Sequence, residues 1–201
     1  MRHEMRSAIK LLRQILRLVC EIAFLSAVAI HGSADATTLA RMSLEKMARS
    51  APLIVRARCL GNSARWDAGE IWTFTNFNVE EIWRGSAPPE ITVRLLGGRL
   101  VNLTSTVSGV PRFLPGEEVV LFLEPTARGD FSVTSWAQGI LRIRRYPGTG
   151  AESATQDSAS VATFDPATRR FEAQGIRNFP LDALRSRIDA AWRAASARSA
   201  P

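Results

Sequence analysis

The sequence predicts a mainly β fold: a small closed or nearly closed β-barrel, with a short helix before it and an amphipathic helix after it. Three observations carry this expectation. Between residues 53 and 146 the chain offers several short segments rich in β-branched and aromatic residues, separated by Gly, Pro and Asn. One of them, VVLFL at 119–123, is apolar without interruption, as a strand buried on both faces would be. Helical periodicity is confined to the two ends.

In order, MSLEKMARSAP (42–52) reads as the short helix. Ser43 is a suitable N-cap, Glu45 suits the positive first turn, Leu44, Met47 and Ala48 share a face, and Pro52 stops it. LIVRARCL (53–60) alternates as a half-buried strand, and NSARWDAGE (62–70) reads as a turn-rich loop. IWTFTNFNVEEIW (71–83) is a long strand with Ile71, Thr73, Thr75, Phe77 and Val79 on one face; Glu80-Glu81 breaks the alternation and predicts a bulge. ITVRLL (91–96) is a further strand followed by a glycine turn, and 101–116 is a long irregular crossing. In EEVVLFLE (117–124) Gly116 permits the turn, Glu117 and Glu118 stay at the solvent end, and the apolar run enters the core. DFSVTSW (130–136) and GILRIRRY (139–146) follow as strands. Residues 147–160 are small and polar, a flexible loop; VATFD and RRFEA around PAT form a hairpin. PLDALRSRIDAAWRAA (180–195) is the amphipathic helix, with Leu181, Leu184, Ile188 and Trp192 as the stripe that docks on the barrel.

The first 36 residues are expected to be a cleaved signal peptide. Arg2, Arg6, Lys10, Arg13 and Arg17 form a basic region, 18–30 an apolar one, and Ala34-Asp35-Ala36 a small-x-small site before Thr37. The apolar run of 13 residues contains Glu21 and falls short of the roughly 20 that a membrane span needs. The expected organisation is therefore 1–36 signal peptide, 37–146 barrel, 147–160 loop, and 161–201 hairpin and C-terminal helix packing on the barrel. Removing 36 of 201 residues leaves 165, enough for one core without staples. The implied destination is the periplasm or the exterior, with no membrane span after cleavage and a monomeric domain.

Composition then excludes several chemistries. His3 and His31 both lie in the signal, so the mature chain has no histidine. It lacks the base of Ser-His-Asp and Cys-His catalysis and any histidine-bearing zinc site. Cys59 is its single cysteine, which precludes an intramolecular disulfide, and its place in an alternating strand reads as a buried apolar position. No cofactor motif and no metal-ligand spacing occurs, so neither is expected. The net charge of +7 falls to about +5 without the signal, and its arginines are scattered, the reading of a solvated surface rather than a nucleic-acid patch. The carboxylates to consider are Glu80-Glu81, Glu117-Glu118 and Asp67/Glu70. Neighbours on a strand point to opposite faces, so neither Glu-Glu dipeptide makes a facing pair by itself.

SLEKMARSAPLIVRARC, VEEIWRG, ITVRLLGG, RFLPGEEVVLFLEP and AQGILRI, in that order, resemble a group of uncharacterised exported bacterial proteins. The F-x-x-G-E before an apolar strand is similar to netrin-like modules, which include the tissue inhibitors of metalloproteases. That resemblance implies an OB-like, netrin-like barrel and export. It does not carry inhibition over, because those inhibitors present an N-terminal cysteine to zinc and the mature chain would start Thr37-Thr38-Leu39.

The function expected is a non-catalytic binding module that engages a secreted protease, another envelope protein or an envelope polymer through the loops of a rigid barrel. Trp66 and Trp83, with Arg65 and Arg84 beside them, are the candidate anchors, since Trp and Arg dominate interface energetics; Trp72 and Trp83 also suit core packing. Two other readings compete with it. One is a hydrolase that uses carboxylates alone. The other is a single-stranded nucleic-acid binder of OB type, against which export argues.

Overall fold

A computed structural model describes residues 39–199 apart from 108, 161 and 174. The signal peptide expected over 1–36 and the mature terminus at Thr37 lie outside the described residues. Helix α1 (Leu44–Ser50) begins as its sequence dictates: the Ser43 hydroxyl accepts a 3.2 Å hydrogen bond from the Lys46 backbone N–H. Its buried residues are Leu44, Met47 and Ala48.

Strands β1 (Leu53–Asp67) and β2 (Glu70–Arg84) form one long antiparallel hairpin of two 15-residue strands. The stretch 62–70, expected as a loop, is instead strand on both sides of a two-residue turn. Ala68 (φ 51°) and Gly69 (φ 87°) both take the left-handed conformation there, as a tight turn matched to strand twist requires. The bulge expected at Glu80-Glu81 is present: Arg56 pairs with Glu81 and Ala57 with Val79, leaving Glu80 extra. A second bulge leaves Leu60 extra on β1.

Strand β3 (Glu90–Leu96) pairs with β2. The short β4 (Gly98–Arg99) and β5 (Thr104–Ser105) pair with each other at the start of the long crossing. Strand β6 (Glu118–Pro125) pairs with β1 from Leu53↔Leu123 to Arg58↔Glu118, and β7 (Phe131–Val133) pairs with the end of β6. A single parallel pair, Val93↔Phe131, links β7 to β3. The ring β1-β2-β3-β7-β6 thus returns to β1, a partly closed five-stranded barrel of OB-like form. The edge of β6 that meets β7 at its end pairs through Val119, Val120 and Leu121 with β8 (Ile140–Arg145), and the sheet carries on from there through β9 (Glu152–Gln156) and β12 (Phe179–Pro180). Strands β10 (Thr163–Asp165) and β11 (Arg170–Glu172) make the expected hairpin, and α2 (Leu181–Ser199) ends the described chain.

Two of the expectations require correction here. The small, polar stretch 147–160 holds β9, paired with β8 over five residues, and a 3-10 turn from Asp157 to Ser160. The strand expected over 130–136 ends at Val133, because Ser135 (φ 58°) and Trp136 (φ 56°) turn the chain away.

Two apolar clusters sit on opposite faces of the sheet. Inside the ring lie Leu53, Val55, Ala57 and Cys59 of β1, Phe77, Ile91 and Val93, and Val119, Leu121 and Leu123 of β6. Outside it, Ile54, Val120, Phe122 and Leu141 meet Met47 of α1 and Leu181, Leu184 and Ile188 of α2. The uninterrupted run in β6 is therefore explained: alternate residues serve different cores, and all five are wholly buried. Burying each such side chain contributes about 1.5–3 kcal/mol.

Candidate functional site

The β1–β2 hairpin carries all four candidate anchors but divides them. Trp66 pairs with Ile71 beside the turn, whereas Arg84 pairs with Ile54 at the other end. About 40 Å of strand separates those ends. The four residues do not form one site.

At the turn end, Trp66 is 58% exposed, a large apolar surface for a free side chain. It lines an open groove of about 320 Å³ with Ile71, Leu96, Leu103 and Val107. Leu103 and its neighbour Val101, from the β4–β5 connection, are 56% and 95% exposed. Sequence reasoning missed these two; the available signal was a pair of apolar residues in a segment with no strand pattern to bury them. Arg65 is engaged elsewhere, with its guanidinium 3.6 Å from the centre of the Phe74 ring.

At the other end, Trp83 and Arg84 hold the helices. Arg84 donates to the carbonyls of Ala48 and Arg49, capping the last turn of α1. The same guanidinium lies 3.6 Å from the centre of the Trp192 ring, so Trp192, 41% exposed, covers Arg84 while Leu181, Leu184 and Ile188 make the buried stripe of α2. Trp83 packs against the outer core, and its indole N–H donates to Glu81 at 3.2 Å.

Arginines occupy the candidate carboxylates other than Glu70, which has no ion pair among the described residues. Glu118 accepts from Arg56 at 2.7 Å and from Arg58 at 2.5 Å. Burial works to raise its pKa, but these two hydrogen bonds prevail and hold the carboxyl below the ordinary glutamate range. Glu117 accepts from Arg142 at 2.5 Å. The bulge at Glu80 brings both members of the next pair toward one cation: Arg56 lies 3.4 Å from Glu80 and 3.5 Å from Glu81. Asp67 accepts from Arg94 at 2.8 Å and from Arg128. Glu118 thus differs from the solvated strand mouth expected of it: its side chain is 15% exposed and bridges two guanidiniums.

Cys59 is buried in the inner core, and burial pushes its thiol pKa up. Among the described residues no group of three or more His, Cys, Asp or Glu side chains is placed to hold a metal ion. Nor is any described helix long and apolar enough to cross a membrane. The chain matches no protein-family model and no curated protein; the class that can be stated is that of the OB-like barrel its strand order defines.

Proposed function

We propose that the protein is an exported, non-catalytic binding module, periplasmic or secreted, whose barrel presents the β1–β2 turn to a protein partner. The observation that carries this reading is Trp66, an exposed indole beside Leu103 over an open groove on a rigid hairpin. A protein surface rarely leaves a large aromatic and neighbouring aliphatic side chains uncovered without a partner to cover them. Each candidate carboxylate pair has at least one member held by arginine, which speaks against the hydrolase reading, since a catalytic acid must be free to exchange its proton. A nucleic-acid role has less support than a protein partner, because the outer aromatic rings of β2 are capped by the chain's own arginines. Arg65 and Arg94 lie over Phe74, and Arg94 over Trp72, which leaves those faces closed to stacking bases.

The test is quantitative capture from the envelope fraction and culture fluid, with wild type, Trp66→Ala and Phe171→Ala as baits. Phe171 is also exposed, at 61%, but on the separate β10–β11 hairpin. A protein enriched by wild type and Phe171→Ala and lost by Trp66→Ala is the expected result. Equal capture by all three baits would remove the turn from the interface.

A further inference from the structure

The β8–β9–β12 extension leaves one sheet face open. Leu141 and Ala154 turn to the outer core beneath the helices, and Ile143 packs partly against it while also lining the groove beside it. Arg142, Arg144 and Thr155, alternating with them, line a groove of about 610 Å³ together with Asp157, Arg177 and Asn178. That volume lies within the range that small-molecule sites occupy.

The charges in this groove are not equally satisfied. Glu117 and Glu118 also line it, but both are engaged, by Arg142 and by Arg56 and Arg58. Asp157 spends both oxygens on Arg142, at 2.5 and 2.9 Å. Arg144 has neither an acidic partner nor a side-chain hydrogen bond among the described residues. Arg177 makes one side-chain hydrogen bond among them, to the Ala159 carbonyl, which leaves most of its five donors open.

Arg177 is also held in place by its own backbone. A Cβ on Gly175 would lie 2.7 Å from the Ala159 Cα, so glycine permits the close approach of this segment to the 3-10 turn. The Ile176 carbonyl accepts from the Gln156 N–H at 2.8 Å and fixes the register. Asn178, in the left-handed conformation at φ 46°, receives the Thr155 hydroxyl on its Oδ1 at 3.3 Å. Its Nδ2 remains as a third donor. The open groups of Arg144, Arg177 and Asn178 therefore all donate, and two of them are cationic, while Glu117, also in the lining, accepts through its Oε2 alone among the described residues.

We infer that this groove binds a small anion bearing carboxylate or phosphate groups, held by the guanidiniums of Arg144 and Arg177 with the Asn178 amide beside them. Planar guanidiniums match both kinds of oxyanion in a two-pronged geometry. The site is independent of the Trp66 turn and stands or falls without it.

The experiment is calorimetric titration of the full chain at neutral pH and low salt, with citrate and, separately, pyrophosphate as probes. Saturable one-site binding of at least one probe is expected, and the tighter of the two identifies the carboxylate or the phosphate chemistry. Arg144→Gln and Arg177→Gln should each weaken binding about tenfold. Arg99→Gln, which removes an exposed positive charge on β4, should leave it unchanged. Arg144→Gln breaks no side-chain hydrogen bond among the described residues, so its circular dichroism and thermal midpoint should match wild type and its result decides the matter if Arg177→Gln fails to fold. Absence of saturable binding by both probes up to about 10 mM, or an equal loss in Arg99→Gln, would overturn the inference.

Discussion

Arg56 keeps only 12% of its side chain exposed, yet it meets the carboxylates of Glu80, Glu81, Glu118 and Glu152. Burial alone would lower its pKa; the hydrogen bonds it donates to Glu152 and Glu118 raise it instead. Hydrogen bonds from Arg56 draw the Glu152 carboxyl below its ordinary range, burial opposes them, and Arg145 adds to the lowering. For a depressed carboxylate the unfolded chain binds the proton more readily than the folded one. The stabilisation is therefore complete above the ordinary glutamate pKa of about 4.3 and disappears as pH falls through the lower folded value. Glu118→Gln removes the bridge to Arg56 and Arg58 and should cost about 1–3 kcal/mol at pH 7, as loss of hydrogen bonds to charged groups does. A solvent-exposed acid would cost no more than about 0.5 kcal/mol. Urea unfolding of both proteins across pH should show a constant gap above pH 5 or so that closes toward pH 2. A gap that persists unchanged in acid would mean that Glu118 acts through packing and not through charge.

At the scale of the element, the β1–β2 hairpin shows where local signals and tertiary pairing diverge. Gly61, Asn62, Ser63 and Asp67 are turn formers, and local propensity alone makes 62–70 a loop. Pairing with β2 overrides it, because Ala64, Trp66 and Arg58 find partners along the whole of β2. The same override applies to β9, whose Ser153 and Ala154 are buried and whose Ala154 is small enough to admit the helical layer above it; nothing apolar advertises this strand in sequence. By contrast α1, the bulge at Glu80 and the doubly buried β6 were legible, since capping, broken alternation and an uninterrupted apolar run each have one dominant physical cause. In the candidate site Trp66 was legible from its place beside Asp67-Ala68-Gly69, whereas the role of Arg84 depends on carbonyls of α1 that only folding delivers. The turn itself is suboptimal. Ala68 sits at φ 51°, where a Cβ costs about 1–2 kcal/mol and where Asn is better tolerated. Ala68→Asn, which creates Asn-Gly at the turn, should stabilise the protein by about 0.5–1 kcal/mol in denaturant titrations. A destabilised variant would show that the observed backbone at 68–69 is not the one populated in solution.

For the whole molecule, the decisive feature is that β6 belongs to both cores. Leu121 packs inside the ring, and Phe122, the next residue, packs under the helices. If α2 left the sheet, Ile54, Val120 and Phe122 would lose their cover on strands that also close the barrel. Exposing those three side chains would cost several kcal/mol at about 1.5–3 kcal/mol each, a large part of what holds a domain of this size together. The helices and the barrel should therefore unfold as one unit. Leu184→Ala in α2 and Leu121→Ala in β6, both wholly buried, should each cost about 2–5 kcal/mol. In each variant the loss read by far-ultraviolet circular dichroism should equal that read by tryptophan fluorescence, which reports Trp192 on α2 together with the hairpin tryptophans. Coincident transitions with an unchanged denaturant slope are the expected outcome. An early helical transition in Leu184→Ala, followed by a barrel transition at the wild-type midpoint, would show that the ring is stable without its outer layer and that β6 does not couple the two cores.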